Sequence, residues 1–299
     1  MKFNGFTEQD LKVSSDINIH YGHNFTRLSK KDMEKPCLIF NYGLVCNKAH
    51  WKHQIPFFNS QSYPVLYHDY RFHYQSESTS NIEDLTLDNI KDDMNDLINY
   101  LNIERAFMIG HSMGVNTTLQ YILHYPEKIL GAILISGTVL PPQDIMFDSN
   151  WMDHLQPILE LLLEKYPKVF KSIWSTTHLN PIAKIGIHRG GFNTSKVPME
   201  FVEFYLKKVG ELNPNVFFQL LDEMKKQNIV KDLELIETPS LIMTGDKDQV
   251  IPSYLQSILT QNLKNSEYYI VKDGSHVPQA DFPDSVNERM MIFIEENSS

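Results

Sequence analysis

Cysteine is nearly missing from this 299-residue chain: Cys37 and Cys46 are the only two. A disulfide scaffold is therefore excluded, and there is no Cys-x-x-Cys or zinc-type Cys/His spacing. Long apolar runs are also missing. The stretch from Ile129 to Leu134 is among the longest, far short of the ~20 residues a membrane span requires. Positive charge is in deficit, with 27 Lys and Arg against 37 Asp and Glu and a net charge of −10. Such a chain has no basic surface for a phosphate backbone, which argues against a nucleic-acid partner. Met1 to Phe6 contains no apolar core of a signal peptide, so a cytoplasmic location is expected. Repeats and low-complexity tracts are missing too.

What is present is an ordinary globular balance, 42% apolar and 21% charged residues. Short apolar runs rich in β-branched and aromatic residues recur at 37–40, 65–67, 106–109, 132–135, 240–243 and 268–271. Each reads as a strand covered on both faces. Helical periodicity lies between them, most clearly over about 85–101, where Ile90, Met94, Leu97, Ile98 and Leu101 are spaced three or four apart. Asp88, Asp92 and Asp96 form the solvated side of that helix. Further helices are expected after Ser112, Pro252 and Pro283. The alternation predicts an α/β fold with an open, mostly parallel sheet and helices on both faces.

The alternation stops between about Leu140 and Ile236, beginning at Pro141-Pro142. Three helical patterns follow, around 151–162, 202–209 and 216–224, and Pro157, Pro167, Pro181, Pro198 and Pro214 punctuate them. The expected organisation is a core of residues 1–139 and 237–299 interrupted by an all-helical lid over 140–236. A lid there would cover the carboxyl edge of the sheet, where such folds bind ligands.

The strongest local signal is Gly110-His111-Ser112-Met113-Gly114, between an expected strand and an expected helix. In that context the glycines permit a tight turn that raises the serine hydroxyl above the sheet. A serine at a strand–helix junction can also serve merely as an N-cap. A nucleophilic serine needs a base, and the base needs an orienter. Thr244-Gly245-Asp246-Lys247-Asp248 and Lys272-Asp273-Gly274-Ser275-His276 follow the last two expected strands. They supply an acid, Asp246 or Asp248, and then His276.

With that chain order of Ser, Asp and His, the sequence resembles the α/β-hydrolase fold superfamily in its lid-bearing branch, from about residue 36 to 295. The resemblance implies an eight-stranded-type sheet and a triad of Ser112, Asp248 and His276. Asp248 is favoured over Asp246 because Gly245-Asp246-Lys247-Asp248 resembles the family's G-x-x-D turn. His276, followed by Asp281-Phe282-Pro283, resembles the segment holding the base before the last helix. Met113 N–H, immediately after the serine, is expected to be one oxyanion donor. By position Leu44 N–H is the other.

Two segments depart from the family. Where relatives carry His-Gly, this chain has Asn41-Tyr42-Gly43-Leu44. Tyr42 either packs beneath the loop or offers its hydroxyl to the oxyanion or the neighbouring loop. Together with His111 and Val250 it is a candidate lining residue of the substrate pocket. Where relatives have D-x-R-G-H-G-x-S, aromatic Phe72 and Tyr74 replace both glycines, so a different loop path is expected. Cys46 lies near the oxyanion loop without a dedicated base. The His50/His53 pair lacks further ligands, and no metal or cofactor is expected. Gly190-Gly191 reads as a loop in the lid.

The expected function is cleavage of carboxylic esters with apolar acyl groups or of small esters. A thioesterase, lactonase or C–C bond hydrolase would use the same triad. An acyltransferase or a non-catalytic binding protein would share the fold. The expected partner is a small-molecule ester.

Overall fold

The computed structural model describes residues 1–79, 81–141, 151–227 and 229–298, with the side chains of residues 151–153 set aside. Its strands are β1 Thr7–Lys12, β2 Asn18–His23, β3 Cys37–Asn41, β4 Val65–His68, β5 Ala106–His111, β6 Ile129–Ile135, β7 Ser240–Gly245 and β8 Ser266–Val271. The helices of the core are α1 Gln54–Ser60, α2 Leu87–Tyr100 and α3 Met113–His124, followed beyond the insertion by α9 Gln256–Asn262, α10 Pro278–Asp281 and α11 Pro283–Glu296. Among the described residues, five α-helices lie between β6 and β7. They are α4 Trp151–Lys165, α5 Pro167–Ser175, α6 Pro181–Gly191, α7 Met199–Glu211 and α8 Pro214–Lys226.

The sheet order is β1-β2-β4-β3-β5-β6-β7-β8. Pairing is parallel from β4 across to β8 and antiparallel at β1/β2 and β2/β4. Alternate residues of the central strands point to opposite faces, as the two-residue period of a strand requires. Leu38, Phe40, Phe107 and Ile109 pack with Trp51, Phe58 and Phe293 on one face. Ile39, Met108 and Leu134 pack with Ile90, Met94 and Leu119 on the other. Burial on both sides explains why these strands were legible as short continuous apolar runs.

Several expectations need correction. The antiparallel hairpin β1/β2 was not foreseen, because β1, Thr-Glu-Gln-Asp-Leu-Lys, is largely polar and exposed. Strand β8 is not covered on both faces. It is the sheet edge, with Tyr268 38% and Ile270 51% exposed. The insertion holds five helices rather than three among the described residues: Pro167 and Pro181 start the two additional ones, and Pro214 starts the expected last one. Proline suits the first helical turn, where its missing N–H would have no partner. Pro157 lies inside α4 and does not end it. Gly190 and Gly191 close α6 instead of forming a loop. Pro142 falls outside the described residues. Among those residues, no helix is long and apolar enough to cross a membrane.

In the loop after β4, the two aromatic residues at the glycine positions adopt left-handed backbone. Phe72 has φ 64° and Tyr74 has φ 45°. Each such conformation costs about 1–3 kcal/mol in a residue with a side chain, so the surroundings must over-determine it. Arg71 donates from Nε and Nη2 to the two oxygens of Asp93, both at 2.7 Å, and from Nη1 to Asp84 O at 3.1 Å. This buried fork ties the loop to α2; removing one partner of such a pair costs about 3–5 kcal/mol. Tyr74 Oη donates to Val45 O at 3.1 Å, and Ser76 Oγ donates to Asp69 O at 2.6 Å.

Asp69, at the base of this loop, is 5% exposed, and burial pushes its carboxyl up to about 6. The folded state therefore holds the Asp69 proton more tightly than the unfolded chain does. The resulting stability is complete below the unfolded value of 3.8 and is lost as the pH rises through about 6. Asp69→Asn should raise the melting temperature at about pH 7.5 and give no gain near pH 4. Thermal unfolding of both proteins across that range checks the sign; a gain at the acid end alone would contradict it.

Candidate active site

The order of the strands reverses between β3 and β5, since β4 follows β3 outward on one side and β5 lies on the other. A crevice opens at the carboxyl ends of such strands. Asn41 at the end of β3 pairs with Gly110 at the end of β5, which sets the Gly43–Leu44 turn beside Ser112. Ser112 has φ 54° and ψ −122°, a strained conformation between β5 and α3. Its N–H donates to Ile135 O at 2.9 Å, so the neighbouring strand fixes the turn.

Small residues let the backbones meet. A Cβ on Gly110 would lie 2.3 Å from Gly114 O, and a Cβ on Gly43 would lie 2.9 Å from Ser112 Cβ. Cys46 N–H donates to Gly43 O at 3.1 Å, closing a turn in which Val45 adopts φ 48°. Positive φ is a genuine outlier for a β-branched residue. The Met113 N–H belongs to the first residue of α3, directly after the serine, and the Leu44 N–H to a residue that lines the cavity with Ser112. Among the described residues neither donates to another backbone group outside the regular elements.

Ser112 Oγ lies 3.2 Å from His276 Nε2, and His276 Nδ1 lies 2.9 Å from Asp248 Oδ2. The other oxygen of Asp248 accepts the N–H groups of Val250 and Ile251, both at 2.9 Å. With its carboxylate partner on Nδ1, the imidazole carries its proton there and presents the Nε2 lone pair to the serine. Asp246, the rival acid, is exposed and reaches toward Lys247. The loop bearing His276 is clamped by Asp281, whose carboxylate accepts Ser275 N–H at 2.6 Å and Asn193 N–H at 3.2 Å. Burial raises the Asp281 carboxyl, and these donors oppose the rise.

Above the serine is a cavity of about 290 Å³ with walls from both the core and the insertion. His111 and Val250 line it together with Leu44, whereas Tyr42 does not. Tyr42 is 1% exposed and its hydroxyl accepts Tyr70 N–H at 2.8 Å, so its place as a pocket residue is corrected. The hydroxyl binds the neighbouring loop and is turned away from the serine's cavity. His111 is held by donating from Nε2 to His276 O at 2.9 Å, and burial keeps it neutral.

Sequence reasoning missed His50, which lines the cavity and whose pKa burial lowers to about 4. Cys46 also lines it, its thiol pushed up to about 12 by burial, which leaves it protonated and unreactive. Ile187, Phe192, Tyr205, Phe217 and Met224 of the insertion complete the apolar wall. No local motif marks them.

The sequence profile of the α/β-hydrolase fold matches residues 36–283. The chain belongs to this family. Among characterised proteins it is 26% identical over 271 residues to a bifunctional esterase/perhydrolase of Acinetobacter calcoaceticus, covering 87% of this chain and 92% of that one. It is 24% identical over 293 residues to epoxide hydrolase 4 of Mus musculus, covering 93% and 78%. An esterase from Exiguobacterium antarcticum superposes with a TM-score of 0.78 at 16% identity, over 97% of this chain and 100% of the other. This α/β-hydrolase is an enzyme of the hydrolase class.

Tyr42→Phe should leave turnover unchanged but lower unfolding free energy by about 1–3 kcal/mol, because a buried N–H loses its acceptor. Urea unfolding and steady-state kinetics on the same variant separate the two effects. A large fall in kcat would return Tyr42 to the chemistry.

Proposed function

We propose that this α/β-hydrolase cleaves carboxylic esters of apolar acyl groups through an acyl-enzyme on Ser112. The observation that carries the reading is the hydrogen-bonded series Ser112–His276–Asp248 at the floor of a largely apolar cavity. An aspartate nucleophile, used by the epoxide-hydrolase branch, is missing from the elbow, which holds Ser112.

In this reading His276 Nε2 takes the hydroxyl proton as Ser112 Oγ attacks the carbonyl carbon. Asp248 holds the imidazole in its reactive tautomer and stabilises the imidazolium, remaining ionised itself. Negative charge develops on the carbonyl oxygen, and in this reading the N–H groups of Leu44 and Met113 receive it. Because the turn is already strained into position, little reorganisation is needed when that charge forms. The tetrahedral species collapses, and His276 gives its proton to the departing alcohol. Water then attacks the acyl-enzyme with His276 again as base, releasing the carboxylic acid and restoring Ser112.

The helical insertion serves as the lid over this site. Ile187, Phe192, Phe217 and Met224 line the cavity, whose volume is at the small end for ligand sites. Short to medium apolar acyl chains fit that space better than bulky or charged ones.

A panel of p-nitrophenyl esters from acetyl to dodecanoyl tests the reaction and sizes the pocket. Ser112→Ala should lower kcat on the order of 10⁴-fold with an unchanged circular dichroism spectrum. Retained turnover in the variant would refute the assignment. For the acid, Asp248→Asn should lower kcat at least about a hundredfold more than Asp246→Asn, since only Asp248 faces His276. Equal losses from the two substitutions would contradict the choice.

A further inference from the structure

The insertion carries an outer surface unlike the rest of the molecule. Ile158, Leu161 and Leu162 of α4, Val169 and Ile173 of α5, and Ile182 and Ile185 of α6 are between 42% and 82% exposed. Tyr166 and Leu179, in the connections between these helices, are 60% and 65% exposed. Helices α4 and α5 pack together, and the short turn Thr177–Leu179 joins α5 to α6, so these side chains lie on successive touching elements. Within each helix they share a face: 158, 161 and 162; 169 and 173; 182 and 185. Apolar exposure on this scale marks an interaction surface.

Charge is distributed with the same asymmetry. From Lys165 to Met199 there is no Asp or Glu, while six Lys and Arg residues occur. The segment therefore carries +6 against −16 for the remainder of the chain. Lys165, Lys168 and Arg189 are exposed, and Arg189 lies one helical turn from Ile185 in α6. Glu160 and Glu164 of α4 are the acids beside this face, and the basic residues of 165–199 outnumber them; an apolar face edged mainly by basic side chains suits an anionic lipid surface, the aliphatic groups among the acyl chains and the cations at the headgroups.

We infer that the outer face of α4–α6 docks onto an anionic lipid–water interface. Helix α6 makes the docking consequential, because its Gly186, Ile187 and Gly190 also line the cavity above Ser112. One helix thus forms both the lipid-facing surface and the wall of the site. That ester substrate reaches Ser112 from the lipid phase rests on the hydrolase reading above; the docking itself does not.

Flotation of the full-length Ser112→Ala variant with vesicles separates the two. It should float with vesicles of phosphatidylcholine mixed with phosphatidylglycerol and much less with phosphatidylcholine alone, and added salt should weaken the binding. In the wild-type background, Ile173→Glu with Ile182→Glu, and separately Lys165→Glu with Lys168→Glu, should lower partitioning at least about tenfold. Both doubles should hydrolyse p-nitrophenyl acetate in free solution at the wild-type rate. Failure to bind anionic vesicles, or binding that neither double weakens, would overturn the inference. Light scattering showing self-association that Ile173→Glu with Ile182→Glu abolishes would also overturn it, since a second copy would then cover the face. Vesicle binding without any esterase activity would uphold the docking and sink the hydrolase reading alone.

Discussion

The site depends on one constraint: the backbone at Ser112 must hold a conformation that a serine adopts only when forced. The force is distributed. Ile135 O captures the Ser112 N–H, the Gly110–Gly114 approach leaves no room for another path, and the Gly43 turn presses against the serine from β3. The first and last of these contacts join the elbow to β6 and to the loop after β3, so the strain at φ 54° is opposed by neighbouring parts of the fold. Val45, Phe72 and Tyr74 repeat the pattern nearby, with positive φ held by hydrogen bonds from elsewhere in the fold. The crevice is therefore ringed by turns whose local preferences are overruled by tertiary contacts.

The polar groups around Ser112 are sorted by burial. His50 and His111 are kept neutral in the cavity wall, and the Cys46 thiol is kept protonated. Asp248 is the buried acid whose carboxylate accepts three donors, two of them backbone N–H groups. The arrangement leaves one imidazole, His276, with a carboxylate on one nitrogen and a hydroxyl on the other. The insertion completes the enclosure with apolar side chains.

Much of this was legible because it is local. The central strands appear as apolar runs, since both faces are covered, and the elbow announces itself by Gly110, Ser112 and Gly114 between a strand and a helix. Asp248 and His276 lie at strand ends, where their order along the chain already suggested a shared site. The rest depends on distance in the fold. Nothing beside Tyr42 in sequence says that its hydroxyl accepts Tyr70 N–H, and nothing beside Phe72 says that Arg71 finds Asp93 on α2. Prolines that read as breaks became helix starts at 167, 181 and 214, because their meaning depends on which side the helix forms. Residues of the cavity wall contributed by α6 and α7 could be found only once the insertion was placed over the sheet.

The central claim is that Ser112 is a nucleophile activated by its setting. Treating the native protein with a fluorophosphonate and mapping the adduct by peptide mass spectrometry tests it without assuming a substrate. The account predicts a single stoichiometric adduct on the peptide containing Ser112, and none after unfolding in urea, when His276 and the oxyanion donors are dispersed. An unlabelled native protein, or an adduct on another residue, would contradict it.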